Sequence, residues 1–181
     1  MTGQTEWKME TISLQENSGR WLTAVFAIFF ICAAAWYNLP TVLASEMPLG
    51  EKTWEQWQAE AGWASYSADS FQPSAAKVED ISRLIKKRTA TFVIVGGSWC
   101  SDTRIHLPRI MKILRLASVP PGDIHLYGVD RHKREPSGAT KRWHIRRIPT
   151  VIILSEGREI GRIVENPKVS WEEDILHILS R

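Results

Sequence analysis

Cysteine is scarce in this chain of 181 residues, which holds only Cys32 and Cys100. Two cysteines so far apart supply no disulfide framework. Metal-ligand spacing is missing as well, because His106, His125, His132, His144 and His177 show none of the close pairings a metal site uses. There is no phosphate loop and no dinucleotide fingerprint, so no bound cofactor is expected. Internal repeats and low-complexity tracts are absent too. The charge balance, 23 Lys and Arg against 20 Asp and Glu, leaves a formal charge of +3 with both signs mixed along the chain. With no clustered basic stripe evident, nucleic acid is not an expected partner.

What is present begins with an apolar run. No charged residue occurs from Trp21 to Ser45, and the dense part, Trp21 to Tyr37, is near the lower limit for a helix that spans a bilayer. Trp21, Trp36 and Tyr37 stand at its two ends, where aromatic side chains favour the membrane interface. A secretory signal cleaved before Ser45 is the alternative, since "VLA" is an acceptable small-residue site. The long polar segment ahead of the run, residues 1–20, favours a retained anchor over 21–45. Lys8 and Arg20 precede the run and only Lys52 follows closely, so the positive-inside rule places the N-terminus in the cytoplasm and the rest outside it. Cys32 falls inside the run, where a small apolar role suffices.

Residues 46–72 read as a tryptophan-rich linker. Trp54, Trp57 and Ala61 share one side of a short helix. Such a helix either packs on the following domain or, through Trp54 and Trp57, binds a partner or an interface.

Beyond residue 73 the periodicity is cleaner. Val78, Ile81, Leu84 and Ile85 form one helical face that ends in "KKR", as suits a helix C-terminus. "TFVIVGG" is a buried strand, and a helix after Cys100 places Leu107, Ile110, Met111 and Leu114 on one face. "DIHLYGVD" is a strand, "ATKRWHI" a short helix, and "TVIILSEGREIGRIV" a hairpin turning at Glu156-Gly157. Trp171, Ile175, Ile178 and Leu179 define a last helix. Strands alternating with helices predict an α/β three-layer domain whose sheet is largely parallel at its centre, with an antiparallel edge from the hairpin.

These residues carry a resemblance. "VGGSWC", Pro108 eight residues beyond Cys100, and "HIRRIPTVIILSEGREIG" resemble the thioredoxin superfamily. More narrowly, "WCSDT", "GVDRHK", "RIPTVIIL" and "GRIVENPKVSWEEDIL" resemble a bacterial monothiol branch whose active site reads Trp-Cys-x-Asp-Ser or Thr. The resemblance covers residues 73–181. It implies a mixed central sheet, a cis bond before Pro149, and a site built from Cys100, Thr103 and Pro149, with Trp99, Ile148 and Arg104 meeting the substrate.

Two departures from dithiol thioredoxins narrow the chemistry. Thr103 stands where the resolving cysteine would be, and Ile94 stands where a buried acid would manage its proton. A chain lacking the first has no need of the second, so fast dithiol turnover is not expected. At a helix N-terminus, free amides and the helix dipole would favour a Cys100 thiolate, aided by a hydrogen bond from Thr103 and charge from Arg104, and opposed by Asp102. Such a thiol would form mixed disulfides with proteins or small thiols, resolved by an outside thiol. His106, six residues on, points away from it. Two functions fit: a membrane-anchored periplasmic monothiol protein of the bacterial inner membrane, or a non-catalytic subunit docked on a larger membrane complex, respiratory or photosynthetic.

Overall fold

The computed structural model describes residues 47–63 and 68–181. All of them belong to one compact unit. The polar tail and the anchor expected over 21–45 lie outside the described residues, and among the described residues no helix is long and apolar enough to cross a membrane.

The chain runs β1 (Gly50–Lys52), α1 (Trp54–Glu60), α2 (Ala75–Arg88), β2 (Ala90–Gly96), α3 (Ser101–Leu116), β3 (Ile124–Gly128), α4 (Ala139–Arg142), β4 (Thr150–Ser155), β5 (Arg158–Val164) and α5 (Trp171–Leu179). The five strands form one sheet in the order β1-β3-β2-β4-β5. The α/β class and the mixed sheet are as expected, but the centre is not largely parallel. Only β2 and β3 run parallel, while β1–β3, β2–β4 and β4–β5 are antiparallel. The reason is the link from β3 to β4, whose helix is a single turn. It begins and ends at the same end of the sheet, so β4 must run back against β2. A crossover returning the chain to the other end would have made it parallel.

Local chemistry sets the element ends. Thr53 and Gln56 form a reciprocal capping box at α1, with Gln56 N–H donating to Thr53 Oγ1 at 3.2 Å and Thr53 N–H to Gln56 Oε1 at 2.9 Å. Lys86, Lys87 and Arg88 close α2 against its dipole, and Thr89 ends it in the left-handed region at φ 48°. Ser170 caps α5 by accepting from Glu173 N–H, with Glu172, Glu173 and Asp174 in the first turn. The hairpin turns where expected, Glu156 and Gly157 both having positive φ.

The two faces of the sheet are covered unequally. Phe92, Ile94, Leu126, Val151 and Ile153 point into a large core filled by α1, α2, α3 and α5. Val93, Val95, Tyr127, Val129, Ile152 and Leu154 point the other way, into a smaller core under Ala139 and Ile148, with Trp99, Cys100, Trp143 and Ile145 half-buried at its margin. The third layer of the expected sandwich is thus α4 and loops.

The linker reading of 46–72 needs correction. Trp57, Ala61 and Trp63 are buried in the large core, and the Trp57 and Trp63 rings meet edge to face at 5.7 Å. Lys112 Nζ on α3 donates to the carbonyls of Ala68 at 2.9 Å and Phe71 at 2.6 Å. Residues 47–63 and 68–72 are part of the domain. Its β1 strand lies across Gly128, where an added Cβ would fall 1.8 Å from the Pro48 carbonyl oxygen, so no other residue fits there.

Candidate functional site

β2 delivers the chain to the turn Gly97–Ser98–Trp99, and Cys100 is the N-cap of α3 with an extended backbone. Its N–H donates to Gly97 O at 2.9 Å, and its carbonyl accepts from Arg104 N–H at 3.0 Å. Its sulfur does not cap the helix. The thiol instead donates toward the Ile148 carbonyl at 3.8 Å, and a carbonyl has no proton to give in return. Cys100 thus leans toward the loop before β4.

That loop contains the cis bond between Ile148 and Pro149, as the resemblance implies. Three hydrogen bonds hold it. Thr150 Oγ1 donates to Arg147 O at 2.7 Å, Glu165 N–H donates to Pro149 O at 2.7 Å, and Arg147 Nη1 donates to Glu165 Oε2 at 2.9 Å. Glu165 thus braces this loop from both its backbone and its side chain. The pairing of β5 with β4 brings Glu165, in "VENP" at the end of the hairpin, beside that loop.

The other expected residues take defined places. Thr103 is fully buried, and its hydroxyl accepts from Gly97 N–H at 3.3 Å. It therefore holds the turn, and among the described residues no hydrogen bond joins it to the Cys100 sulfur. Arg104 is exposed, and its Nε donates to Ser98 O at 3.2 Å, which braces the same turn. Trp99 lies back over Gly97, where a Cβ would meet its Nε1 at 2.7 Å and Ile148 Cδ1 at 3.0 Å. Only glycine leaves room for that indole. Trp99 Nε1 donates to Val129 O at 3.1 Å, and the Arg131 guanidinium sits 5.5 Å from its ring. Trp99 and Cys100, both half-buried, thus meet the buried Ile148 and Pro149 at the end of the sheet where Gly96, Gly128 and Thr150 lie.

Trp54 and Trp57 are not part of a free docking face. Trp57 is fully buried, and Trp54 is half-buried against the same core. Ring packing consumed the apolar face that the spacing revealed. His106 stays apart from the thiol, as expected. Its Nδ1 accepts from Trp171 Nε1 at 3.0 Å, and because an indole only donates, Nδ1 is the unprotonated nitrogen. Burial lowers its pKa, Arg109 adds to that, and Asn166 and Asp102 oppose it. The Asp130 loop has a structural explanation. Asp130 Oδ1 accepts from the N–H groups of His132 and Arg134, both at 2.8 Å, and these bonds hold its carboxyl below the usual range. Among the described residues no cluster suits a metal ion.

No protein-family model matches the chain, and no curated protein matches it. Solved structures do. A protein of unknown function from Pseudomonas aeruginosa is 22% identical with a TM-score of 0.44, over 62% of this chain and 75% of that one. The thioredoxin of Fasciola hepatica is 18% identical at TM-score 0.38, over 56% and 89%, and mitochondrial thioredoxin 3 of Saccharomyces cerevisiae is 21% identical at 0.34, over 50% and 80%.

Proposed function

We propose that this protein is a membrane-anchored, periplasmic, monothiol thioredoxin-like protein of the bacterial inner membrane that exchanges disulfides through Cys100. The observation that carries the reading is the half-exposed Cys100 thiol facing the Ile148 carbonyl beside Pro149, with a buried Thr103 tied into the turn behind it. In the proposed step the Cys100 thiolate attacks one sulfur of a substrate disulfide. A mixed disulfide forms, the substrate S–S bond breaks, and the second sulfur leaves as a thiolate. With Thr103 in the resolving position, an outside thiol attacks the mixed disulfide and restores Cys100. For the alternative, a docked, non-catalytic subunit, the burial of Trp57 takes away one of three supports, while the absent resolving cysteine and the absent acid still fit it.

The test uses the full chain in neutral detergent, exposed to a small pyridyl disulfide. The expected result is a single mass adduct on Cys100, absent in Cys100→Ser and removed by added thiol. An unmodified Cys100 would overturn the exchange reading. For location, a reporter fused after Arg181 should work outside the cytoplasm and fail inside it. A mature N-terminus at Ser45 would overturn the anchor.

A further inference from the structure

The chain-wide mixing of charges hides a local excess. Between Asp130 and Arg147 there are seven lysines and arginines against two acids, an excess of five in a chain whose formal charge is +3. The remainder of the protein is therefore net acidic. Internal pairing does not account for the excess. Arg134 pairs with Asp130 and Arg147 with Glu165, but Arg131, Lys133, Lys141, Arg142 and Arg146 make no ion pair among the described residues. All of these five except Lys133, which is half-buried, are exposed.

The topology puts this segment beside the thiol. It leaves β3 after Gly128 and enters β4 at Thr150, both at the sheet end from which β2 runs into the Cys100 turn. Arg131 stacks on Trp99, and Arg146 and Arg147 immediately precede Ile148, whose carbonyl faces the sulfur. Next to that loop His144, Arg146, Arg147, Thr150, Arg162 and Val164 line a shallow depression of about 300 Å³.

We infer that the substrate of Cys100 is an acidic polypeptide, docked by its carboxylates on the basic rim formed by Arg131, Lys133, Lys141, Arg142 and Arg146. This rests on the disulfide-exchange reading above. A rim of unpaired cations around a reactive group raises the local concentration of anionic partners and speeds their encounter. Five separate cations suit a polypeptide segment with several carboxylates better than a single small carboxylate. Its continuity with Trp99 and Ile148 favours a partner that brings a sulfur atom over a lipid surface or a nucleic acid.

The experiment measures mixed-disulfide formation by the full chain with three pyridyl-activated cysteine peptides, flanked by Glu, Gln or Lys. In the productive step Cys100 displaces the pyridine-thiolate and becomes joined to the peptide through a new S–S bond. The Glu peptide should react about tenfold faster than the Gln peptide at low ionic strength, and the Lys peptide more slowly than either. The Glu-to-Gln ratio should fall toward one in about 0.5 M salt, where charges are screened beyond a few ångströms. It should also fall toward one in the variant combining Lys141→Glu, Arg142→Glu and Arg146→Glu. Equal rates for all three peptides would overturn the rim while leaving exchange intact. If no peptide reacts, the exchange reading fails, and fluorescence anisotropy of the reduced Glu peptide on Cys100→Ser then reads the rim by itself. Binding there that prefers Glu over Gln supports the rim, and no preference overturns it. Tighter retention on phosphatidylglycerol vesicles or an oligonucleotide than on the Glu peptide would also overturn it.

Discussion

The two faces of the sheet divide the work of the molecule. One face lies under four helices and is closed by large side chains such as Phe92, Ile94, Leu107, Ile110 and Trp57, all fully buried. The other lies under one helical turn and a loop, and its margin of Trp99, Cys100, Trp143 and Ile145 stays half-open. Stability scales with apolar area withdrawn from water, so most of it belongs to the first face. The second face keeps a thiol, an aromatic ring and a row of cations within reach of solvent. A change on the thick side should register as lost stability, and one on the thin side as lost chemistry.

The largest expected effect comes from Trp57→Ala. Emptying a fully buried indole site should cost about 3–5 kcal/mol in urea unfolding, enough to endanger folding at moderate temperature. Trp57→Phe should cost less, because the Trp57 indole N–H is buried without a partner among the described residues and the phenyl ring removes that donor. A Trp57→Ala protein that unfolds at the wild-type urea midpoint would break the division between faces.

Thr103→Val tests the seam where both faces meet the turn. The shape is kept, but the Gly97 N–H loses its acceptor, and the expected loss is about 1–3 kcal/mol together with a displaced Cys100. Chemical-shift changes confined to residues distant from the turn would contradict that role. On the thin face, Cys100→Ser should shift unfolding by under about 1 kcal/mol, since the site is half-open, while abolishing mixed-disulfide formation.

The smallest effect concerns pH. His106 is held neutral by burial, its pKa lowered from 6.5, so the unfolded chain binds a proton more readily than the folded one. Stability should therefore be complete above pH 6.5 and fall as pH drops from there toward the lowered folded value, below which this contribution stops changing. His106→Gln should flatten the dependence in that window. An unchanged slope, measured by thermal unfolding in a pH series, would assign the dependence to other groups.

Much of the thick face was legible in sequence because helical periodicity records it directly. Val78, Ile81 and Ile85, then Leu107, Ile110 and Leu114, then Trp171, Ile175 and Ile178 are buried as their spacing predicts. The thin face was read mainly through resemblance, since a cis bond and a carbonyl facing a sulfur leave no periodic trace. β1 was missed because its three residues, Gly-Glu-Lys, carry no apolar alternation. It exists because Gly128 lets the Pro48 backbone approach and because Glu51 accepts from Tyr127 Oη at 3.1 Å and pairs with His125. The basic excess of residues 130–147 is legible in the sequence, but its place beside the thiol is not, because that depends on the sheet end at which β3 stops and β4 starts.

The lateness of β1 in the folding order follows from its pairing. Glu51 and Tyr127 are 76 residues apart, so closing that loop costs chain entropy that three residues of ladder bonds repay poorly. The strand is expected to join after β2, β3 and β4 have assembled. Until it does, the outer N–H and C=O groups of Leu126–Gly128 form an open sheet edge, a template on which a second chain can lay its own strand.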